Sequence, residues 1–181
     1  MVTPRDVADY IAGTGFTLTG EMQLQKLLYY VQAWSLAWDG SPVFDESIEA
    51  WTDGPVLRSI RHVDLTSLGH HVPTDLTQSQ RATVDAVLRH YGNHGGKYLS
   101  GVTHGEKPWR QARQGLAADE PGSTPIDPAT MMREYSTQAA QGRGPTRRAT
   151  FTAADHDRAD LLHRGARISR QWSRAMALLA R

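Results

Sequence analysis

One stretch near the start of the chain, residues 20–38, limits the possible folds more than any other. Its leucines and tryptophans recur at three- and four-residue spacing, and alanines, a tyrosine and a further leucine cover the opposite side. Only a narrow polar strip at Gln25 and Gln32 interrupts this apolar surface. A helix that is apolar nearly all round is stable when other elements cover most of its sides. We therefore expect a buried central helix over about residues 20–38, ended by Gly40.

Local capping patterns predict further helices on both sides of the central helix. A threonine placed three residues before an acid or a glutamine, or a proline at the first helical position, is typical of a helix start. Such signals stand at Thr3–Asp6, Thr77–Gln80, Pro108 and Asp127–Pro128. Alternating residues followed by the turn DGP predict a short strand or hairpin near residues 43–53, and Pro55 predicts a short helix after it. The fold class that follows is mainly α: a compact helical domain around the central helix, plus a C-terminal amphipathic helix.

Charge divides the chain into an acidic body and a basic tail. Residues 1–136 hold 11 Lys and Arg against 16 Asp and Glu, whereas residues 137–181 hold nine Arg against three Asp. We expect a domain over residues 1–136, a linker rich in Gly, Pro and Arg over 137–152, and a basic amphipathic helix over 153–181. The candidate partner-binding residues of this helix are Arg164, Arg167, Trp172 and Arg174.

Several roles are open for the C-terminal helix. Its apolar residues can pack back on the domain while the arginines stay in solvent. It can also lie in a groove of an acidic partner, mediate self-association, or contact nucleic-acid phosphate. A membrane surface ranks last, because Trp172 is the one aromatic residue on the apolar face of the helix. We expect no membrane partner.

The sequence lacks the signatures of several protein classes. It contains no cysteine, which excludes disulfides and thiolate metal sites. No apolar run reaches the roughly 18 residues that span a bilayer, and the first residues do not resemble a signal peptide, so we expect a cytoplasmic protein. There is no phosphate-binding loop, nucleophile elbow or zinc-hydrolase motif, and we expect His90 and His94 to be solvated or capping residues. We therefore expect a protein that is not an enzyme, with no catalytic residue, no cofactor and no metal.

Two segments resemble a known protein family. Residues 24–56, LQKLLYYVQAWSLAWDGSPVFDESIEAWTDGPV, closely resemble the opening motif of the Panacea antitoxin domain, which is also found in SocA and in phage-associated GepA-like proteins. Residues 102–113, VTHGEKPWRQAR, are similar to a later segment of the family, and the resemblance covers roughly residues 4–136. It implies a mostly helical antitoxin of a toxin–antitoxin system, in the setting of phage defence. Such a domain neutralises a cognate toxin protein, encoded nearby, by direct binding.

An alternative of a different class is a DNA-binding transcriptional regulator or autorepressor that uses the arginine-rich C-terminal helix. For the antitoxin, nucleic acid is only a secondary partner. The acidic body suits a basic toxin, because opposite charges speed the encounter of two proteins.

Four residues of the family motif are candidate partner-binding residues: Lys26, Tyr30, Glu49 and Trp51. Most other motif positions, such as Trp34, are expected to belong to the core. Three roles are open for Lys26. It can extend past the neighbouring tyrosines to water, pair internally with Glu49, or contact a partner. We favour an internal role.

Overall fold

The computed structural model describes residues 2–70, 75–117 and 119–147. The described chain is mainly α-helical with a small sheet, which confirms the predicted fold class. Its elements are α1 (Pro4–Gly13), α2 (Glu21–Asp39), β1 (Glu49–Trp51), β2 (Gly54–Val56), α3 (Gln78–Tyr91), α4 (Gly96–Gly105), α5 (Lys107–Ala112), β3 (Thr124–Pro125) and α6 (Pro128–Ala140). The C-terminal helix predicted over residues 153–181 lies outside the described residues.

The helix α2 is the central helix that the sequence predicts. Every residue from Gln23 to Leu36 is buried. The helices α1, α3, α4 and α6 and the strand β2 all pack against it. Gly40 ends the helix in the left-handed conformation, with a φ of 66°. Because each side of α2 is covered by a neighbour, the core of the domain is built around this helix.

The polar strip of α2 is buried as well, and its glutamines hold neighbouring segments in place. The Gln32 side chain donates to the Phe44 carbonyl and accepts from the Val43 amide, both at 2.8 Å. Gln25 accepts from the Leu57 amide at 2.8 Å and donates to the Leu57 carbonyl at 3.1 Å. A buried amide is tolerated only when its hydrogen bonds are made. These pairs therefore fix the segments after α2 and β2 on the central helix.

The three strands form a small antiparallel sheet beside α2, in the order β2–β1–β3. The predicted hairpin is present, with its strands between residues 49 and 56. Gly54 makes its tight turn with a φ of 104°, in a region that other residues rarely adopt. Pro55, predicted to start a helix, lies in β2, and a short 3₁₀ helix begins only at Arg58. That prediction is wrong, because pairing with β1 overrides the local proline signal.

The predicted helix starts correspond to real caps. Thr3 and Thr77 each form a capping box with the residue three positions later, and Asp127 accepts two backbone hydrogen bonds at the start of α6. The helix α5 begins at Lys107, one residue before Pro108. Each cap depends on contacts within about four residues, so the local pattern is sufficient to predict it.

The packed structure continues beyond the predicted domain boundary. The helix α6 runs to Ala140. Further along, Arg147 donates to the Asp39 carboxylate at 2.7 Å, and its guanidinium lies 5.2 Å from the centre of the Trp38 ring. Within the range that the sequence analysis places in a linker, residues 137–140 therefore extend α6 and Arg147 contacts α2. The part of that linker after Arg147 lies outside the described residues.

Candidate functional site

A groove of about 720 Å³ lies between α2, the β1–β2 hairpin and the segment that leads into β3. We call it the Trp51 groove. The residues that line it include Met22, Lys26, Trp51, Asp53, Arg58 and Arg61. A volume of this size is in the range of sites that hold a ligand. The groove is therefore the first candidate for a functional site.

Trp51 lies in the wall of the groove and is held by contacts from several elements. Its indole nitrogen donates to the Glu49 carboxylate at 2.8 Å, and its carbonyl accepts from the Trp109 indole at 2.9 Å. The guanidinium carbons of Arg61 and Arg58 lie 4.6 and 5.5 Å, respectively, from the centre of the Trp51 ring. Cation–π contacts at these distances are favourable. Together they fix the orientation of the tryptophan side chain.

Glu49 connects Trp51 to an arginine and not to Lys26. One carboxylate oxygen of Glu49 accepts from Arg58 at 2.7 Å, and the other accepts from the Trp51 indole. The hydrogen bond from Arg58 is the main cause that holds the pKa of Glu49 below its usual 4.5. Glu49 is therefore charged at neutral pH and orients both neighbours.

Lys26 lines the groove from α2, and only 1% of its surface is exposed. Its ammonium group donates to the Pro55 carbonyl at 3.1 Å. Burial lowers the pKa of Lys26 from 10.5 to about 8, and the charge of Asp53 partly opposes this shift. This hydrogen bond gives Lys26 an internal role, joining α2 to β2, in place of the alternative pair with Glu49.

Tyr30 is completely buried and belongs to a cluster of tyrosines away from the surface. Its ring stacks on Tyr91 with the ring centres 3.9 Å apart, and its hydroxyl donates to the Glu106 carboxylate at 3.4 Å. The Tyr135 hydroxyl donates to the same carboxylate at 2.7 Å and lies 3.1 Å from the Tyr29 hydroxyl. Burial therefore places Tyr30 in the core and separates it from the Trp51 groove.

Glu106 is a titratable group that the sequence analysis missed. It stands between α4 and α5, and its hydrogen-bond donors in the described chain are the uncharged side chains of Tyr30, Tyr135 and Gln138. Burial raises the pKa of Glu106 from 4.5 to about 7; the hydroxyl donors oppose this rise, and the charge of Glu134 adds to it. No sequence pattern marks the site, because α2 and α6 supply the donors from distant parts of the chain.

Other candidates from the sequence are not part of the groove. Within residues 2–70, 75–117 and 119–147, no group of three or more His, Asp or Glu side chains is placed to hold a metal ion. His94, considered together with His90, stacks on Tyr98 with the ring centres 4.4 Å apart. None of the described helices is both long enough and apolar enough to cross a membrane. The tail candidates Arg164, Arg167, Trp172 and Arg174 lie outside the described residues.

The side chains of the groove can be compared with those found at contacts between proteins. The mainly α-helical domain presents tryptophan, methionine and arginine side chains in this groove. Tryptophan and arginine are enriched among the residues that dominate binding between proteins, and methionine is enriched at interfaces. Such a surface is typical of protein-binding domains.

The family of this domain follows from comparison with known families. Residues 24–110 match the family described as "Antitoxin SocA-like, Panacea domain". The matched range contains most of α2, the β1–β2 hairpin, α3 and α4. It confirms the resemblance seen in the sequence and supports an antitoxin role in general terms. No curated protein and no solved structure gives a significant match to the chain.

Proposed function

We propose that the protein is the antitoxin of a toxin–antitoxin system and neutralises a cognate toxin, encoded nearby, by direct protein–protein binding. The observation that carries this proposal is that residues of the family motif line the groove. Lys26, Trp51 and Val56 line the groove and are also part of the motif that identifies the Panacea domain. The residues that mark the family therefore also shape the candidate contact surface.

The Trp51 groove combines accessible side chains with an ordered framework. Met22 is 40% exposed, and the Arg58 side chain is 61% exposed, so apolar and cationic atoms are both accessible. The Trp51 side chain is already held by its hydrogen bond to Glu49, and its backbone by the hydrogen bond from Trp109. A surface whose side chains are already ordered loses less conformational entropy when a partner binds. This preorganisation supports a direct contact at the groove.

The proposed function is binding without catalysis, in the cytoplasm and without a metal or cofactor. The charged groups at the groove support this view, because they make contacts that hold the fold. Glu49 orients Arg58 and Trp51, and Lys26 bonds to Pro55. The excess of acidic residues over 1–136 suits a basic toxin, which electrostatic attraction would bring to the domain faster.

The test is co-expression of this chain with the product of each adjacent gene. We expect one of these products to arrest growth when expressed alone, and we expect the chain to restore growth. The same product should bind the purified chain in a pull-down and in calorimetry. If none of the adjacent gene products is bound and neutralised, the proposal is wrong.

Two alanine variants show whether the groove makes the contact. Trp51→Ala removes a large aromatic side chain from the wall of the groove and should weaken toxin binding by about tenfold or more. Tyr98→Ala is a matched control, because Tyr98 is an aromatic residue that is 58% exposed and lies outside the groove. We expect it to bind like the wild type. Thermal unfolding of both variants separates lost contact from lost stability, and equal affinity of Trp51→Ala and wild type would exclude the groove as the contact surface.

A further inference from the structure

The Trp51 groove contains one arginine that is not engaged in an ion pair within the described structure. Arg58 pairs with Glu49 at 2.7 Å. Arg61 is exposed, and the contact that holds its guanidinium is the face of the Trp51 ring, 4.6 Å away. None of the ion pairs among the described residues involves Arg61. The groove therefore presents a positioned cation whose charge is not neutralised by a carboxylate contact.

A guanidinium held over an aromatic ring is well suited to bind a carboxylate. Its N–H donors lie in its own plane and form a fork that matches the two oxygens of a carboxylate. The aromatic ring orients this fork and leaves its donors available. In this groove Arg61 supplies the cation, and Trp51 of the hairpin supplies the ring.

The other charges of the groove argue against a continuous polyanion such as a nucleic acid. Glu21 and Asp53 line the same groove, and Glu49 stands beside Trp51. A chain of phosphates passing through the groove would be repelled by these carboxylates, as well as by the acidic excess of residues 1–136. A single carboxylate directed at Arg61 can avoid them. The mixed charges therefore favour a protein segment.

Apolar surface next to Arg61 defines the second requirement on the partner. The Trp51 ring and the exposed side chain of Met22 both line the groove, and Val56 adds a further apolar contact. Burial of an apolar side chain here stabilises a complex, whereas a charge pair at the rim contributes mainly specificity. A volume of about 720 Å³ has space for more than one side chain.

We propose that the Trp51 groove recognises a segment of the toxin that carries an Asp or Glu next to an apolar side chain. The carboxylate of that segment pairs with Arg61, and its apolar neighbour packs against Trp51 and Met22. This inference rests on the proposed antitoxin function and specifies the partner's contact chemistry. The toxin as a whole can still be basic, since the groove requires only one local acidic residue.

The test measures the affinity of the full chain for the adjacent gene product that it neutralises. Arg61→Glu reverses the charge in the groove and should weaken binding by about tenfold, and Arg61→Lys should fall between it and the wild type, because lysine keeps the charge but loses the paired donors. The matched control is Arg89→Glu, which makes the same change at an exposed position of α3 outside the groove. We expect this control to bind within about twofold of the wild type.

A charge exchange identifies the carboxylate on the partner. Each exposed Asp or Glu of the toxin is changed to Arg in turn, and one of these changes should restore binding to Arg61→Glu while weakening binding to the wild type. If the Arg61→Glu variant binds the toxin as tightly as the wild type does, this inference is overturned but the antitoxin proposal stays intact. Absence of any bound and neutralised gene product overturns both. The chain is also tested with a 20-base-pair DNA duplex. If it binds this duplex more tightly than the toxin, and Arg61→Glu abolishes the DNA binding, the choice of a protein segment is overturned.

Discussion

Replacing Glu106 by glutamine should remove a pH dependence of stability that the wild-type domain shows between about pH 4.5 and pH 7. The reason is the burial of this carboxyl between α2, α5 and α6, where its donors are uncharged hydroxyl and amide groups. Burial raises the pKa of Glu106 from 4.5 to about 7 in the folded state. In the unfolded chain the carboxyl returns to water and to its ordinary pKa.

The direction and size of the effect follow from these two pKa values. Below pH 4.5 Glu106 is protonated in both states, so its ionisation does not change the free energy of unfolding. Between pH 4.5 and 7 the unfolded chain releases the proton while the folded domain keeps it, and unfolding becomes more favourable as the pH rises. One pH unit in this interval corresponds to about 1.4 kcal/mol. The folded domain should therefore lose about 3 kcal/mol across the interval.

The assay is urea denaturation of the wild type and of Glu106→Gln at pH values from 4.5 to 8. Glutamine keeps an oxygen that accepts the Tyr135 hydrogen bond but cannot ionise. Relative to the wild type, the variant should gain about 3 kcal/mol in free energy of unfolding from the lowest to the highest pH. The quantity to compare is the difference in free energy of unfolding between variant and wild type at each pH. This difference removes the contribution of His90 and His104, whose pKa values are lowered by burial and whose effect on stability in this range has the opposite sign.

Two further variants make the result decisive. Asp45→Asn removes a carboxylate at an exposed position and should follow the wild-type pH dependence. Glu134→Gln removes the charge that adds to the pKa of Glu106, so the loss of stability should level off at a lower pH and be smaller. A constant difference between Glu106→Gln and wild type over the whole pH range would refute the reasoning. A ¹³C titration of the Glu106 carboxyl that gives a pKa near 4.5 would refute it independently.

Three other substitutions test separate parts of the fold. Lys26→Met removes a buried cation whose pKa is lowered to about 8, so the wild type should gain about 2 kcal/mol relative to the variant between pH 8 and 10 in denaturation curves. Gly144→Ala should cost more than about 2 kcal/mol in thermal unfolding, because its φ is +89° and the added Cβ would clash with the ring of Trp34. Its control is Gly142→Ala, which has a φ of +67° and open space around the added Cβ, and which should cost about 1 kcal/mol. Arg147→Ala should cost about 1 kcal/mol through the lost contacts to Asp39 and α2, and a double-mutant cycle with Asp39→Asn measures their coupling.

The candidate site was predictable only in part, and Trp51 and Tyr30 show why. The family motif made both residues candidates, but the motif does not show which side chain lines a groove and which is buried in the core. Tyr30 is directed into the core because α2 is covered on every side, and its stacking partner Tyr91 is 61 positions away in the chain. Trp51 lies in the groove wall, where pairing of β1 with β2 and hydrogen bonds with Glu49 and Trp109 hold it.

The sequence by itself determined the central helix, the helix caps and the resemblance of residues 24–110 to a family, because these features depend on short-range patterns. Helical spacing over residues 20–38 requires a buried helix, and a cap such as Thr77 involves its nearest neighbours. Only the tertiary structure decided how Lys26 and Glu106 are used. Their pKa values depend on burial and on donors or acceptors from other elements, and no pattern along the chain records how closely those elements approach.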